Sequence, residues 1–314
     1  TLEYLLGARH QQIPDQVRKL HRYIRIEDAH QNNLKHLDVD IPLGGLVAVT
    51  GVSGSGKSTL IRGILYPALY RHLNKSGNKP GQFKQLSGRL ECIQQVELVD
   101  QNPIGRSSRS NPVTYIKAYD DIRKLFAEQP HARHNGFTPS HFSFNIDGGR
   151  CEECQGDGTI RVEMQFMADV TLVCESCHGK RFKSEILEVK YQGYDIHELL
   201  DMTIDDAVAF FSKQKESYAK KAAQKLRCLQ EVGLGYLKLG QSSSTLSGGE
   251  SQRVKLAAFL NKDVKDGATL FIFDEPTTGL HFHDIHKLLQ SFQSLIEKGN
   301  SIVVIEHNMD VIRS

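Results

Sequence analysis

Gly51-Val52-Ser53-Gly54-Ser55-Gly56-Lys57-Ser58 follows the apolar run Leu46-Val47-Ala48-Val49 and opens a helix-forming stretch that runs from Lys57 to about Leu73. The spacing is G-x-x-x-x-G-K-[ST], in the strand, turn and helix setting that gives it a mechanism. Glycines let successive backbone N–H groups turn inward around a β-phosphate. The helix N-terminus adds its partial positive charge, and Lys57 reaches the β- and γ-phosphates. Ser58 offers its hydroxyl to Mg²⁺, and Thr59 lies within reach of the α-phosphate. The predicted nucleotide contacts are therefore Gly51, Ser53, Gly54, Ser55, Gly56, Lys57, Ser58 and Thr59.

A second apolar run, Thr269 to Phe273, ends directly in Asp274 and Glu275. Paired acids at the end of a buried strand suit phosphoryl transfer: Asp274 holds Mg²⁺ through water, and Glu275 polarises the attacking water. Upstream, Leu246-Ser247-Gly248-Gly249-Glu250 precedes a helix with apolar residues at helical spacing. Ser247 caps that helix, and the glycines behind it leave backbone N–H groups open to an anion.

The phosphate loop, Gln101 after an apolar strand, Ser247–Glu250, Asp274-Glu275 and His307 after the last strand occur in the order of an ABC-type ATPase cassette, which the chain resembles from Leu46 to His307. The resemblance implies binding and hydrolysis of ATP to ADP. It also implies that Gln101 senses Mg²⁺ and the γ-phosphate, that His307 positions the γ-phosphate and the water, and that Ser58, Gln101 and Asp274 attend the Mg²⁺. Lys57, Gln101, Glu275 and His307 form the implied catalytic set. ATP is then sandwiched between the Lys57 loop of one cassette and Ser247, Gly248, Gly249 and Glu250 of another, and only one such set is present here. The aromatic that stacks on adenine in such cassettes has no counterpart at Asp28-Ala29-His30, so that role stays unassigned.

Composition fits an ordinary globular chain: 314 residues, 39% hydrophobic and 24% charged. Length alone suggests about two domains. Thirty-nine basic and thirty-seven acidic residues nearly cancel to a formal charge of +2, so a nucleic-acid partner has to be argued from local clusters. The longest apolar runs are strand-length and far short of the roughly 20 residues of a spanning helix. With no basic-then-apolar leader at Thr1–Leu20, the chain reads as cytoplasmic and without a membrane partner. The absence of an initiating Met, and an ending just past a strand, suggest a piece of a longer polypeptide.

The organisation is one nucleotide-binding core split by an insert. Residues 1–100 read as the first part of the core, 101–244 as an inserted helical subdomain, and 245–314 as the second part, with signature, acidic strand end and histidine. Residues 74–88 read as a surface loop and 93–99 as a strand. Helices are expected at 118–128, 204–211 and 218–232 within the insert, and at 252–261 and 285–298 around a strand at 269–273, with the last strand at 301–306.

Cys151-x-x-Cys154 and Cys174-x-x-Cys177 are separated by nineteen residues, 155–173, a four-cysteine zinc spacing. Four thiolates close a tetrahedral Zn²⁺, so the metal is expected to be structural and to hold the intervening hairpin. Cys174 to His178 also spells the haem-attachment pattern, and either pair could be a redox dithiol. The second pair at zinc spacing argues against both. Cys92 and Cys228 read as buried bystanders. The expected fold class is thus α/β: an ABC-type P-loop nucleotide-binding domain split by a helical signature subdomain carrying a small four-cysteine zinc module, residues 151–177.

A cassette with a four-cysteine insert ahead of its Ser-Gly-Gly motif resembles the UvrA family, the damage-recognition ATPases of the bacterial excinuclease, in their C-terminal half. The residues that carry the resemblance are Asn102–Arg106 with Arg109–Pro112, Phe142–Asn145 leading to Gly148–Glu152, Gly233–Tyr236 before Leu239–Gln241, and Asp274–His281, where His281 replaces the aspartate usual in transporter cassettes. The family implies ATP-modulated binding of distorted duplex DNA in nucleotide excision repair, with no nuclease chemistry of its own. It also implies an SOS-response context, a homodimer, a second cassette in the N-terminal half, and delivery of a UvrB-type helicase partner through the full-length protein. Basic clusters that suit phosphate contact are Arg106, Arg109 and Lys117, and Arg150, Lys180, Arg181 and Lys183, each of which also reads as a solvated face. A paralogue with another role, such as drug tolerance, and a transporter cassette are the competing readings.

Overall fold

The computed structural model describes residues 18–105, 110–162, 164, 170–261 and 268–313. It divides into two compact units, Thr1–Asn102 with Lys262–Ser314, and Pro103–Asn261. In chain order the strands are β1 (Tyr23–Ala29), β2 (Leu37–Pro42), β3 (Leu46–Val49), β4 (Gln85–Gly88), β5 (Gln95–Val99), β6 (Thr159–Val162), β7 (Val170–Val173), β8 (Thr269–Asp274) and β9 (Ser301–Ile305). The longer helices are α1 (Tyr66–Asn74), α2 (Ala118–Ala127), α3 (Ile204–Ser212), α4 (Ser217–Glu231), α5 (Gly248–Leu260) and α6 (Phe282–Glu297).

The first unit is built on a sheet of order β3-β9-β8-β5 whose neighbouring strands all pair in parallel. Parallel strands are covered on both faces, which is why β8 and β9 read as unbroken apolar runs, and their side chains are buried along almost their whole length. Ile61, Ile64, Leu65, Val96, Leu270, Ile272, Val303 and Ile305 share one core with the inner face of the second sheet. Because the strands are parallel, the phosphate loop after β3, Gln101 after β5, Asp274-Glu275 at the end of β8 and His307 after β9 all leave the same edge, where α/β sheets place their ligands.

The second sheet of this unit, antiparallel β2-β1-β4, is not anticipated from the sequence. Strand β1 alternates buried Ile24 and Ile26 with Arg25 and Glu27, so its apolar signal is halved. Strand β4 is four residues ending in Gly88 within the stretch expected to be loop. The helix expected from Lys57 starts there and runs through a π-helical segment, Thr59–Leu65, into α1. Pro67 explains part of this: it has no N–H to give to the Gly63 carbonyl, which instead accepts from Gly81 N at 2.8 Å.

The second unit packs α4 between α2 and α3. Its core is aromatic: Tyr119, Phe126, Phe142, Phe144, Tyr191 and Phe211 are fully or almost fully buried. The Tyr119 hydroxyl is satisfied by the Phe142 carbonyl at 2.6 Å. Buried Asp121 accepts from Lys225 Nζ at 2.6 Å, which ties α2 to α4 by charge. Helix α5 also contacts α4, so the signature helix packs within this unit, which runs to Asn261. The physical reason is burial: α5 covers Val254, Leu256 and Ala257 and also Ser251, Gln252 and Arg253, so it needs neighbours on most sides. Among the described residues no helix is long and apolar enough to cross a membrane.

Ile272 is 0% exposed in the middle of β8. Ile272→Ala should destabilise the first unit by about 2–5 kcal/mol, through lost apolar transfer and the cavity left behind, read by urea unfolding monitored within that unit.

Candidate functional site

The phosphate loop is held by its own lysine and by a neighbouring turn. Lys57 Nζ donates to the carbonyls of Gly51 and Val52 at 2.8 and 2.9 Å. Gly54 and Gly56 have φ of 77° and 98°, in the left-handed region that glycine enters without a Cβ penalty. At Gly56 the glycine is doubly required, since a Cβ would come within 2.7 Å of the Leu34 side chain and 3.2 Å of Asn33 Oδ1. From the β1–β2 turn, Asn33 Nδ2 donates to Gly54 O at 2.7 Å and Asn32 Nδ2 to Thr59 Oγ1 at 3.3 Å. These two asparagines brace the loop, and sequence reasoning missed them. The signal was a pair of side-chain amides in a turn with no strand recognised on either side. Ser53 and Ser55 lie on the exposed outer curve, and the Ser55 N–H closes a turn on Val52 O at 3.2 Å.

Glu275 leaves β8 with φ of 48°, a strained value for a non-glycine residue. Its N–H donates to Ile305 O at 2.9 Å and its carboxylate lies 3.8 Å from His307 Nε2. Both side chains are about half exposed, at 50% and 47%. Gln101 Nε2 donates to the Glu275 carbonyl at 3.3 Å, which leaves its amide oxygen as an acceptor. All four members of the predicted catalytic set therefore belong to the first unit and leave the same sheet edge, with Gln101, Glu275 and His307 in direct succession. The donor set of Ser58 hydroxyl, Gln101 amide oxygen and Asp274 carboxylate is all oxygen, as hard Mg²⁺ prefers. Asp274 also carries a partner that the motif does not announce: Arg62 NH1 donates to its Oδ2 at 2.7 Å. Glu306, unassigned from sequence, is buried beside His307. An acid closing an apolar strand was the same signal that singled out Asp274.

In the second unit Ser247 caps α5 through a capping box, with Ser247 Oγ accepting from Glu250 N at 3.2 Å and Ser247 N donating to Glu250 Oε2 at 2.7 Å. Gly248 and Gly249 form the first turn behind that cap. The Tyr236 hydroxyl donates to the other oxygen of Glu250. Burial pushes the Glu250 carboxyl up, but Tyr236, the Ser247 N–H and Oγ, and Arg253 together hold it below the usual glutamate range.

The four thiols of Cys151, Cys154, Cys174 and Cys177 are buried and lie within 4.8 Å of one another. Zn–S bonds of about 2.3 Å in a tetrahedron require S···S edges of about 3.8 Å. The separations Cys151–Cys174 and Cys154–Cys177 are 3.9 and 3.6 Å, so the cluster fits zinc. Thiol acidity is uneven. Burial pushes Cys151 up, yet N–H groups of Cys154 and Glu153 draw it down to about 7, whereas burial drives Cys174 up to about 12. Four adjacent thiols need a bound cation to ionise together, and a metal ion would supply that charge. Gly156 cannot be replaced, because a Cβ there would meet the Phe144 carbonyl at 2.2 Å. Strands β6 and β7 form the antiparallel hairpin that the cluster anchors.

The cationic clusters fare unevenly. Arg106 and Arg109 lie outside the described residues. Arg150 pairs with Asp147 at 2.6 Å and is largely buried, and Lys183 pairs with Glu152 at 2.5 Å. Arg181 donates to the Gly240 carbonyl at 2.9 Å and packs 5.7 Å from the Phe144 ring centroid, so it is a structural cation of this unit. Lys117 and Lys180 are exposed.

Purified protein should carry about one zinc ion per chain at the four-cysteine site, and Cys174→Ser should lose it, by elemental analysis. Acidification should release the metal as thiolates take up protons, followed by a zinc-sensitive dye.

No protein-family model matches the chain. It is 51% identical to UvrABC system protein A of Streptococcus pyogenes serotype M1 over 315 residues, covering 100% of this chain and 33% of that protein. It is 52% identical to UvrABC system protein A of Micrococcus luteus over 316 residues, again over 100% of this chain and 31% of that protein. The crystal structure of UvrA2 from Deinococcus radiodurans superposes with a TM-score of 0.88 at 43% identity, covering 99% of this chain and 36% of that one. The chain thus spans about a third of the length of the curated relatives it matches, 33% and 31% in these two. Along its whole length, phosphate loop, signature and four-cysteine insert included, the chain is thus similar to about a third of these UvrA proteins.

Proposed function

We propose that this chain is the C-terminal ATPase half of a DNA-damage-recognition protein of bacterial nucleotide excision repair, working in the cytoplasm on distorted duplex DNA. The observation that carries the reading is the shared sheet edge of the first unit, from which Lys57, Gln101, Asp274-Glu275 and His307 all project, in a chain whose insert holds a zinc-compatible cluster. Lys57, at present bonded to loop carbonyls, turns to the β- and γ-phosphates of ATP. Ser58, Gln101 and Asp274 would hold Mg²⁺, which when bound would supply positive charge to offset that of the phosphates. Glu275 orients a water for in-line attack: the new P–O bond forms to that water, the bond to the β–γ bridging oxygen breaks, and the water proton passes to the Glu275 carboxylate. His307 holds the γ-phosphate and the water in line, and ADP and phosphate leave.

The Ser247–Glu250 helix start closes on the ATP of a second cassette, which the N-terminal half supplies. The full-length protein acts as a homodimer and passes the lesion to a UvrB-type helicase partner. DNA contact through the zinc-bearing unit falls to exposed Lys180 and Lys117, because Arg150, Arg181 and Lys183 are engaged within the protein. Phosphate contacts of this kind position a protein without reading base identity, as a damage sensor requires.

In the full-length protein, Glu275→Gln should lower kcat for the Lys57-dependent ATPase by on the order of 10² or more while ATP binding persists, measured by phosphate release and by nucleotide fluorescence titration. Unchanged turnover would remove Glu275 from the chemistry. Lys180→Glu should weaken binding to damaged duplex and reduce the log–log salt slope by about 0.9, one phosphate contact, while Arg181→Met alters protein stability instead. An incision assay with the partner proteins separates a repair protein from a paralogue with another role.

A further inference from the structure

We propose that Glu306 is a positioning residue for the hydrolytic pair: a single buried carboxylate that clasps the loop after β8 to the loop after β9 and thereby sets Glu275 against His307. The inference rests on the ATPase reading above and adds a residue that no part of that reading uses.

Glu306 is the first residue after β9 and is 2% exposed. Its N–H donates to Val49 O at 3.2 Å, so its backbone continues the ladder against the strand that feeds the phosphate loop. Its side chain accepts four hydrogen bonds. Oε1 takes Thr277 N at 2.9 Å and Thr277 Oγ1 at 2.6 Å, and Oε2 takes His307 N at 2.8 Å and Asn308 N at 3.0 Å. Each oxygen thus serves a different loop. Those bonds fill the acceptor capacity of a carboxylate, and every donor is a neutral N–H or O–H. A buried carboxylate is expensive unless fully hydrogen-bonded, and this one is satisfied only while both loops stay where they are.

The arrangement selects a carboxylate over its amide. Glutamine has one acceptor oxygen and one NH₂, so it can serve Thr277 or the His307–Asn308 pair, while its NH₂ faces two donors on the other side. Thr277 stands two residues beyond Glu275, whose left-handed φ of 48° is held on the near side by its bond to Ile305 O. The Thr277–Glu306 bonds hold it on the far side. His307 is adjacent to Glu306 in sequence, so one side chain fixes both ends of the 3.8 Å approach between Glu275 and His307. The clasp also makes the two loops move as one body, so a phosphate gripped by His307 is felt by the turn that follows Glu275.

The test uses the full-length protein, with the Lys57→Ala variant giving whatever ATPase another site contributes. Subtracting that background, Glu306→Gln and Thr277→Val should each lower kcat, by about 30-fold and about 5-fold respectively, with KM for ATP changed less than about twofold, since a displacement near 1 Å of a reacting group costs up to roughly 10²-fold in rate. Thr277→Ser, which keeps the hydroxyl, should restore kcat to within about twofold of the parent. If Glu306→Gln fails to fold, the two variants at partly buried Thr277 decide the question alone. Unchanged kcat in both variants, a parallel loss of kcat and ATP affinity, or equal behaviour of Thr277→Val and Thr277→Ser would overturn the proposal. Absence of any Lys57-dependent hydrolysis in the parent protein would instead overturn the ATPase reading on which it stands.

Discussion

Parallel pairing of β3, β9, β8 and β5 is the constraint on which the rest of the first unit depends. Each ladder register fixes where its neighbour's last residue falls: Val49 opposite Ile305, Ile305 opposite Asp274, and Val99 opposite Phe273. Side chains at strand ends therefore inherit their positions from backbone hydrogen bonds buried in an apolar core, not from loop conformation. A one-residue slip of β9 would exchange its faces and carry Glu306 and His307 away from Glu275. The chemistry at the edge is precise because the sheet beneath it has no freedom to adjust.

In the second unit the corresponding constraint is covalent-scale and local. The two C-x-x-C turns each need left-handed residues, Gln155, Gly156 and Gly158 in one, His178 and Gly179 in the other, and these close-packed turns leave little room to relax. Four convergent thiols hold turns that an apolar core could not, because the hairpin they carry is mostly exposed on both strands. A metal ion held by these thiols would take over the task that burial performs in β8 and β9. The aromatic cluster around Tyr119 and Phe144 then joins this module to the helices, with Arg181 stacked between its own loop and Gly240.

Much of this was legible in the sequence. Strands β3, β8 and β9 are unbroken apolar runs, and the helices at 118, 204 and 217 show clean periodicity, so their limits fell within a residue or so of those observed. The phosphate loop, the capping box at Ser247 and the cysteine cluster are short-range patterns whose geometry is set by residues close in sequence. What escaped shares one property, namely dependence on partners far along the chain. Strand β1 is visible only once β2 and β4 flank it. Asn33 matters only because the loop carbonyl of Gly54 sits above it, and Arg62 only because Asp274 returns from the far end of the chain. The partners of Arg150, Arg181 and Lys183, read from sequence as candidate phosphate contacts or a solvated face, likewise appear only on folding.

The ion pair between Arg62 and Asp274 has a consequence for how this edge tolerates its own charge. Asp274, Glu275 and Glu306 are three carboxylates at neighbouring strand ends, a set that would repel in a site sheltered from water. Glu306 is quenched by peptide dipoles and Glu275 reaches solvent, which leaves Asp274, only 17% exposed, most in need of a counter-charge. Arg62 supplies that charge from the helix behind the phosphate loop, and a guanidinium keeps it at every physiological pH. The Asp274 end of β8 therefore carries its own counter-charge within the folded unit. A divalent cation arriving at this edge would share Asp274 with a guanidinium already in place.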